Sequence, residues 1–221
     1  MSTIYFDEAK VHIPPWVVDR ATFRRWLYSD AFPEQGRICY LAQEVWADMS
    51  KEQLFSHNQV KQEYNVVVGG LAKVGKRGRY FPDGALLSNA EVDFTCQPDG
   101  LFVSHHALDT GQVRLIEGTK DGFLELEGSP EMVLEVISDS SVEKDTVLLR
   151  DLYWQAGIAE YWLVDARGER LSFDILRHTS KGYTAVRRQS GWLKSSVFNK
   201  SFRLTRRFDK QDNPEYTLAL R

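Results

Sequence analysis

Two carboxylates carry the chemistry this chain offers. Glu135 interrupts the apolar run Met132, Val133, Leu134, Val136, Ile137, and Asp99 follows Pro98 just before the apolar residues 101–103. Burying an unpaired carboxylate is costly, so such a group is normally paired, protonated or bound to a metal. Two carboxylates brought together by neighbouring strands repel, and cannot both stay ionised without a compensating charge. A hard divalent cation supplies it: Mg²⁺, with Mn²⁺ as a substitute, favours one or two carboxylates plus water and phosphate oxygens. A centre of that kind polarises a phosphodiester and generates a nucleophile near neutral pH. A cationic side chain beside it orients the water or stabilises developing charge. The plainer alternative is a strand-end glutamate that reaches solvent or an arginine, and two acids among 31 are a weak motif by spacing alone.

Elements must bring these groups together. Residues 130–138, 145–156 and 160–165 read as strand, helix, strand. Met132, Leu134 and Val136 point one way and Val133, Glu135 and Ile137 the other, by the two-residue strand period. Both faces are apolar, which predicts a central strand covered on both sides. Ser140 with Glu143, or else Asp145, is placed to cap the helix, and Gly157 to stop it. Upstream, residues 22–28 read as a short helix and 38–46 as a strand. Ser50 with Gln53 predicts a capping box for a helix carrying Leu54, Val60, Tyr64, Val67, Val68 and Leu71, weakened at Gly69-Gly70 and ended by Gly75. Residues 113–117 and 123–127 flank Lys120-Asp121-Gly122, a hairpin signal. Residues 161–164 pair with 171–176 across a turn at 166–169, and further strands are expected at 183–188 and 202–204.

The totals fit one globular domain: 221 residues, 43% hydrophobic and 27% charged. A net charge of -3 and a pI near 6.0 give no bulk nucleic-acid signal, so only a local basic patch can supply one. Lys73, Lys76, Arg77 and Arg79 read as a solvated loop. Arg187, Arg188, Arg203, Arg206 and Arg207 read as exposed, with backbone phosphate contact as their alternative use. Cys39 and Cys96 form neither a spaced metal motif nor a disulfide framework. No apolar run is long enough to span a bilayer, so a cytoplasmic protein is the default expectation. No serine or cysteine nucleophile elbow and no phosphate-binding glycine-rich loop is present.

The run from Pro130 to Ser138, then Lys144-Asp145, Tyr153, Ala156-Gly157-Ile158 and residues 160–165, resembles the Uma2 family (DUF820), restriction-endonuclease-like proteins of the PD-(D/E)XK nuclease superfamily. Pro98-Asp99 resembles that family's Pro-Asp element. The resemblance spans residues 38–180, leaving 1–37 as an N-terminal extension packed on the core of a single domain, 1–221. It implies an α/β restriction-endonuclease-like fold: a mixed central β-sheet flanked by helices, with added β-hairpins. It also implies a Mg²⁺-dependent endonuclease acting on DNA phosphodiester bonds, and a homodimer. Carried over by position, Asp99 and Glu135 become the metal ligands. The lysine departs from the pattern: the superfamily position is Ile137, and the Uma2 position, four after Asp145, is Leu149. Lys144 and Arg150 are the nearest substitutes. Lys144 is preferred because it can neutralise, orient and exchange a proton, whereas Arg150 cannot serve as a base. His57 sits where the family often carries histidine and is expected either to hydrogen-bond a catalytic carboxylate or to pack on its helix. His105-His106, on an expected strand, would point to opposite faces, which argues against a metal pair. The alternative function is a catalytically degenerate nuclease fold that binds nucleic acid or protein. The missing lysine and the acidic pI speak for it.

Overall fold

The strand Met132–Val136 is the axis of the molecule. In the computed structural model, which describes residues 2–6, 9–118 and 122–221, it lies inside a six-stranded sheet. The spatial order is Gly182–Ala185, Ser172–Thr179, Glu160–Asp165, Met132–Val136, Gly100–Ser104 and Gly78–Pro82. Met132–Val136 runs parallel to Glu160–Asp165, and every other pairing in the sheet is antiparallel.

The two-residue alternation reads out directly as packing. Met132, Leu134 and Val136 bury against Tyr64 and Val68 of the helix Val60–Gly75, and against Phe202 and Leu218 of a C-terminal three-stranded sheet. Val133 faces the other way, onto Leu149, Leu152 and Tyr153 of the helix that follows, and onto Cys39, Leu87 and Phe94 of a second six-stranded sheet. Each fully buried side chain of this size contributes about 1.5–3 kcal/mol. A one-residue slip would swap both faces at once, so the register is strongly specified.

The second sheet has the order Glu44–Asp48, Arg37–Leu41, Phe94–Cys96, Leu86–Asn89, Phe123–Gly128, Val113–Glu117. The expected hairpin is its edge: Val113–Glu117 pairs antiparallel with Phe123–Gly128. Of its turn, Lys120 and Asp121 lie outside the described residues. Val11, Phe23 and Trp26 pack on Ile38 and Tyr40 of the same sheet.

Several local expectations are corrected. Residues 38–46 are not one strand but a hairpin, Arg37–Leu41 with Glu44–Asp48. Ala42 and Gln43 turn it with φ of 49° and 69°, a conformation that neither residue type advertises. The Ser50–Gln53 capping box does not form: Ser50 accompanies Asp48 and Ser140, and the helix enters through wide π-helical turns at Leu54–Gln59. The helix runs straight through Gly69-Gly70 and ends at Gly75, with Lys76 left-handed at φ 48°. Downstream, Lys144–Leu148 and Leu149–Gln155 form one helix, π-helical in its first part. Ser140 donates to Asp48 Oδ2 at 2.7 Å, and Asp145 turns its carboxylate to Lys144, so neither is the helix cap. His105 and His106 open a short helix, His105–Asp109, rather than lie on a strand, and both are exposed. Among the described residues no helix is long and apolar enough to cross a membrane.

Candidate active site

Gly100 pairs with Leu134 across the central sheet. Asp99 lies one residue before the start of the strand Gly100–Ser104, and Glu135 one residue beyond Leu134 on its neighbour. The Val136 amide donates to Asp99 Oδ2 at 2.7 Å, fixing the aspartate at the strand end. Both carboxylates are 1% exposed and both line a cleft of about 940 Å³. The walls of the cleft come from the Arg37–Leu41 and Glu44–Asp48 hairpin, the entry to the first long helix, and the loop Ser138–Lys144.

Two charge clusters share this cleft. Around Asp99, Arg37 Nη1 lies 2.8 Å from Oδ1 and His57 Nε2 3.5 Å from Oδ2. Arg37 Nη2 reaches Asp83 at 2.7 Å and Glu52 at 3.2 Å. Lys61 Nζ pairs with Glu52 and lies 2.6 Å from Asp83, and His57 Nδ1 lies 2.8 Å from Glu52 Oε1. Around Glu135, the Tyr153 hydroxyl donates to Oε1 at 2.8 Å and Lys144 Nζ stands 3.9 Å from Oε2. Lys144 is also 2.6 Å from Asp145 Oδ1, and the Ser141 hydroxyl donates to Asp145 Oδ2.

The environments push the two central acids apart. Burial works to raise the Asp99 pKa, but the His57 contact and the charges of Arg37, His57 and Lys61 hold it well below the usual carboxylate range. Burial pushes the Glu135 carboxyl well above that range, and repulsion from Asp145 and Asp99 adds to what Lys144 and Tyr153 only partly offset. Burial likewise raises Asp145, against the pull of Lys144 and Ser141. Lys144 is itself desolvated, yet Glu135 and Asp145 raise its pKa, so it stays charged. Glu52 falls to about 2, since its hydrogen bonds from Lys61 and Asn58 outweigh burial. Burial lowers and Asp99 raises the His57 pKa, and the rise prevails.

Thus Asp99, Glu135, Lys144 and His57 come together, and Arg150 does not. Arg150 is exposed, with Nη2 3.4 Å from the Tyr183 carbonyl and no place on the cleft wall. Both positions where the family pattern would put a lysine are core: Ile137 is 5% exposed and Leu149 1%. Sequence reasoning missed Arg37, Glu52, Lys61, Asp83, Asp145 and Tyr153 as site members. The charged ones look like surface residues until the fold brings them in, and Tyr153 looks like core. Burial of Lys61, at 5% exposure on the same helix face as His57, is the one clue that helical spacing from His57 carries.

Among the described residues no three His, Cys, Asp or Glu side chains are grouped closely enough to cage an ion. The donor set nonetheless suits a hard cation that keeps most of its own water: carboxylate oxygens, one of them in an acid destabilised by burial and like charge.

A search of curated proteins finds no match. A crystal structure of a "putative nuclease belonging to DUF820" from Anabaena variabilis ATCC 29413 superposes with a TM-score of 0.60 at 13% identity, over 82% of this chain and 91% of that one. The fold is therefore restriction-endonuclease-like. The Uma2 family, described as "Putative restriction endonuclease", matches residues 20–206, wider at both ends than the motif-bearing segment and taking in Arg37. With that match across most of its length, the chain belongs to the Uma2 family.

Proposed function

We propose that the protein is a divalent-cation-dependent endonuclease that hydrolyses DNA phosphodiester bonds in this cleft. The observation that carries the reading is that Asp99 and Glu135, both buried, line one cleft, with Lys144 3.9 Å from the glutamate. Asp99 and Glu135 would hold Mg²⁺, or Mn²⁺ in its place. When bound, the ion supplies Lewis-acid polarisation of the phosphodiester.

The chain's own groups do the rest. The Val136 amide and Arg37 hold Asp99 ionised and oriented, and Tyr153 fixes one oxygen of Glu135, leaving the other toward Lys144. Lys144 takes the place of the missing motif lysine. Held charged by its two acids, it orients the attacking water and stabilises charge on the phosphate rather than removing a proton. His57 braces Asp99 against Glu52. Plasmid nicking with Mg²⁺ or Mn²⁺ tests the reading, wild type against Glu135→Ala. Equal cutting by both proteins would remove Glu135 from the chemistry.

One observation favours a second reading, a degenerate site that binds without cutting: Arg37 and Lys61 already supply Asp99, Glu52 and Asp83 with cations. Calorimetric titration with Mn²⁺ separates the two, since a degenerate site gives no heat that Asp99→Asn and Glu135→Gln abolish.

A further inference from the structure

The C-terminal sheet, Leu193–Lys194, Ser201–Phe208 and Pro214–Leu220, buries one face on the core and turns the other outward. Phe202, Leu204, Tyr216 and Leu218 point in. By alternation Arg203 and Arg207 point out, and the register puts Lys194 opposite Ser201 and hence on that same outer face. Arg221, whose backbone pairs with Ser201, joins them. The guanidinium carbons of Arg203 and Arg221 lie 4.7 and 4.4 Å from the centroid of the Trp192 ring.

Two exposed guanidiniums, Arg203 and Arg221, therefore flank one half-buried indole, and exposed Lys194 and Arg207 extend the same face. Among the described residues none of the four has a carboxylate partner within ion-pair reach, although acids outnumber bases, 31 to 28, in the chain. The face does hold one acid, Glu215, cross-strand from Arg207, but its cations stay in excess, and such an excess favours an external anion. Arg206, which alternates to the other face of the strand, donates to the Gly168 carbonyl at 2.8 Å and to the Glu169 carbonyl. Arg167 of that turn pairs with Asp139 at 3.2 Å, between Ser138 and Ser140 of the cleft wall.

We propose that this outer face, with Arg203 and Arg221 over Trp192 and Lys194 and Arg207 beside them, carries the phosphate backbone of a nucleic acid outside the cleft. Arg203 to Arg207 spans about 13 Å at the strand rise of 3.3 Å per residue, enough to follow several phosphates of one strand. The choice of partner rests on the nuclease reading, and the test is kept separate from cutting.

Binding of a fluorescent DNA duplex is measured in EDTA by anisotropy across a NaCl series, for wild type and for the triple variant Arg203→Gln, Arg207→Gln, Arg221→Gln. Each lost phosphate contact lowers the slope of log K against log[salt] by about one, so the variant's slope should fall by about two to three, with circular dichroism unchanged. If the triple variant does not fold, Lys194→Gln with Arg207→Gln, which touches no ring, should lower the slope by about two. Equal slopes, no duplex binding by wild type at low salt, or tighter binding to anionic phosphatidylserine vesicles than to duplex would each overturn the proposal. Loss of slope in a protein that cuts no plasmid would uphold this face while removing the endonuclease reading. Full plasmid cutting with an unchanged slope would do the reverse.

Discussion

Arg37 Nη1 sits 2.8 Å from Asp99 Oδ1, although 62 positions separate them in the chain. The hairpin that begins at Arg37 thereby reaches across to the end of the central sheet, and the guanidinium becomes the principal counter-charge of a carboxylate that is otherwise sealed from water. Arg37→Gln should cost about 1–3 kcal/mol, the range for leaving a buried charged group short of a partner. The sign of its pH dependence follows from the lowered Asp99 pKa. The stabilisation is present above the unfolded value near 3.9 and is lost as pH falls through the folded one. Urea unfolding should therefore show the gap between wild type and variant narrowing below about pH 4. A gap that stays constant with pH would contradict the pairing.

Glu135 predicts the opposite sign. Its folded pKa is raised, so its contribution is favourable below the unfolded value and is lost as pH rises through the folded value. Glu135→Gln removes an acid held against its preference, and should raise Tm at pH 7 by about 2–4 °C, the shift that about 1 kcal/mol gives a chain of this size. The gain should vanish below about pH 4, where glutamate is protonated folded or unfolded. Plasmid nicking should be lost in the same variant. A variant less stable at pH 7 would mean that Lys144 outweighs burial and repulsion.

Lys144 and Arg150 separate cleanly. Lys144→Ala should lower kcat by about 10²–10³-fold, as removal of one charge-stabilising group typically does. It should also destabilise the fold by leaving Glu135 and Asp145 together without their shared cation. Arg150→Ala should leave the rate near wild type, because its side chain faces the Tyr183 carbonyl. Single-turnover rates on a plasmid decide between them, and a large loss with Arg150→Ala alone would reverse the assignment.

Metal binding should release protons. Glu135 holds its proton more tightly than an isolated carboxyl does, and a cation must displace it. Mg²⁺ affinity should therefore rise with pH. Titrations in two buffers of different ionisation enthalpy should give different apparent heats, whereas identical heats would mean that no proton leaves.

Local periodicity settled a good part of this molecule before any folding is considered. Alternation in Met132–Val136 marks a strand buried on both faces, the acid within it marks a candidate site, and Gly157 ends the helix that covers it. These signals are written in neighbouring residues, where sterics and solvent act over a few positions. The hairpin turn at Ala42 and Gln43 was illegible because two ordinary residues adopt positive φ there, under the pull of the strands on either side. The Ser50 cap failed because Ser50 had better partners across the cleft in the folded chain. The make-up of the site was settled by long-range packing. Arg37, Glu52, Lys61 and Asp83 look like solvated charges in sequence, and a charge acquires a partner and a perturbed pKa only once burial removes the water that screens it. Spacing along the chain does not encode that removal; the closing of two sheets and two helices around the end of one strand produces it.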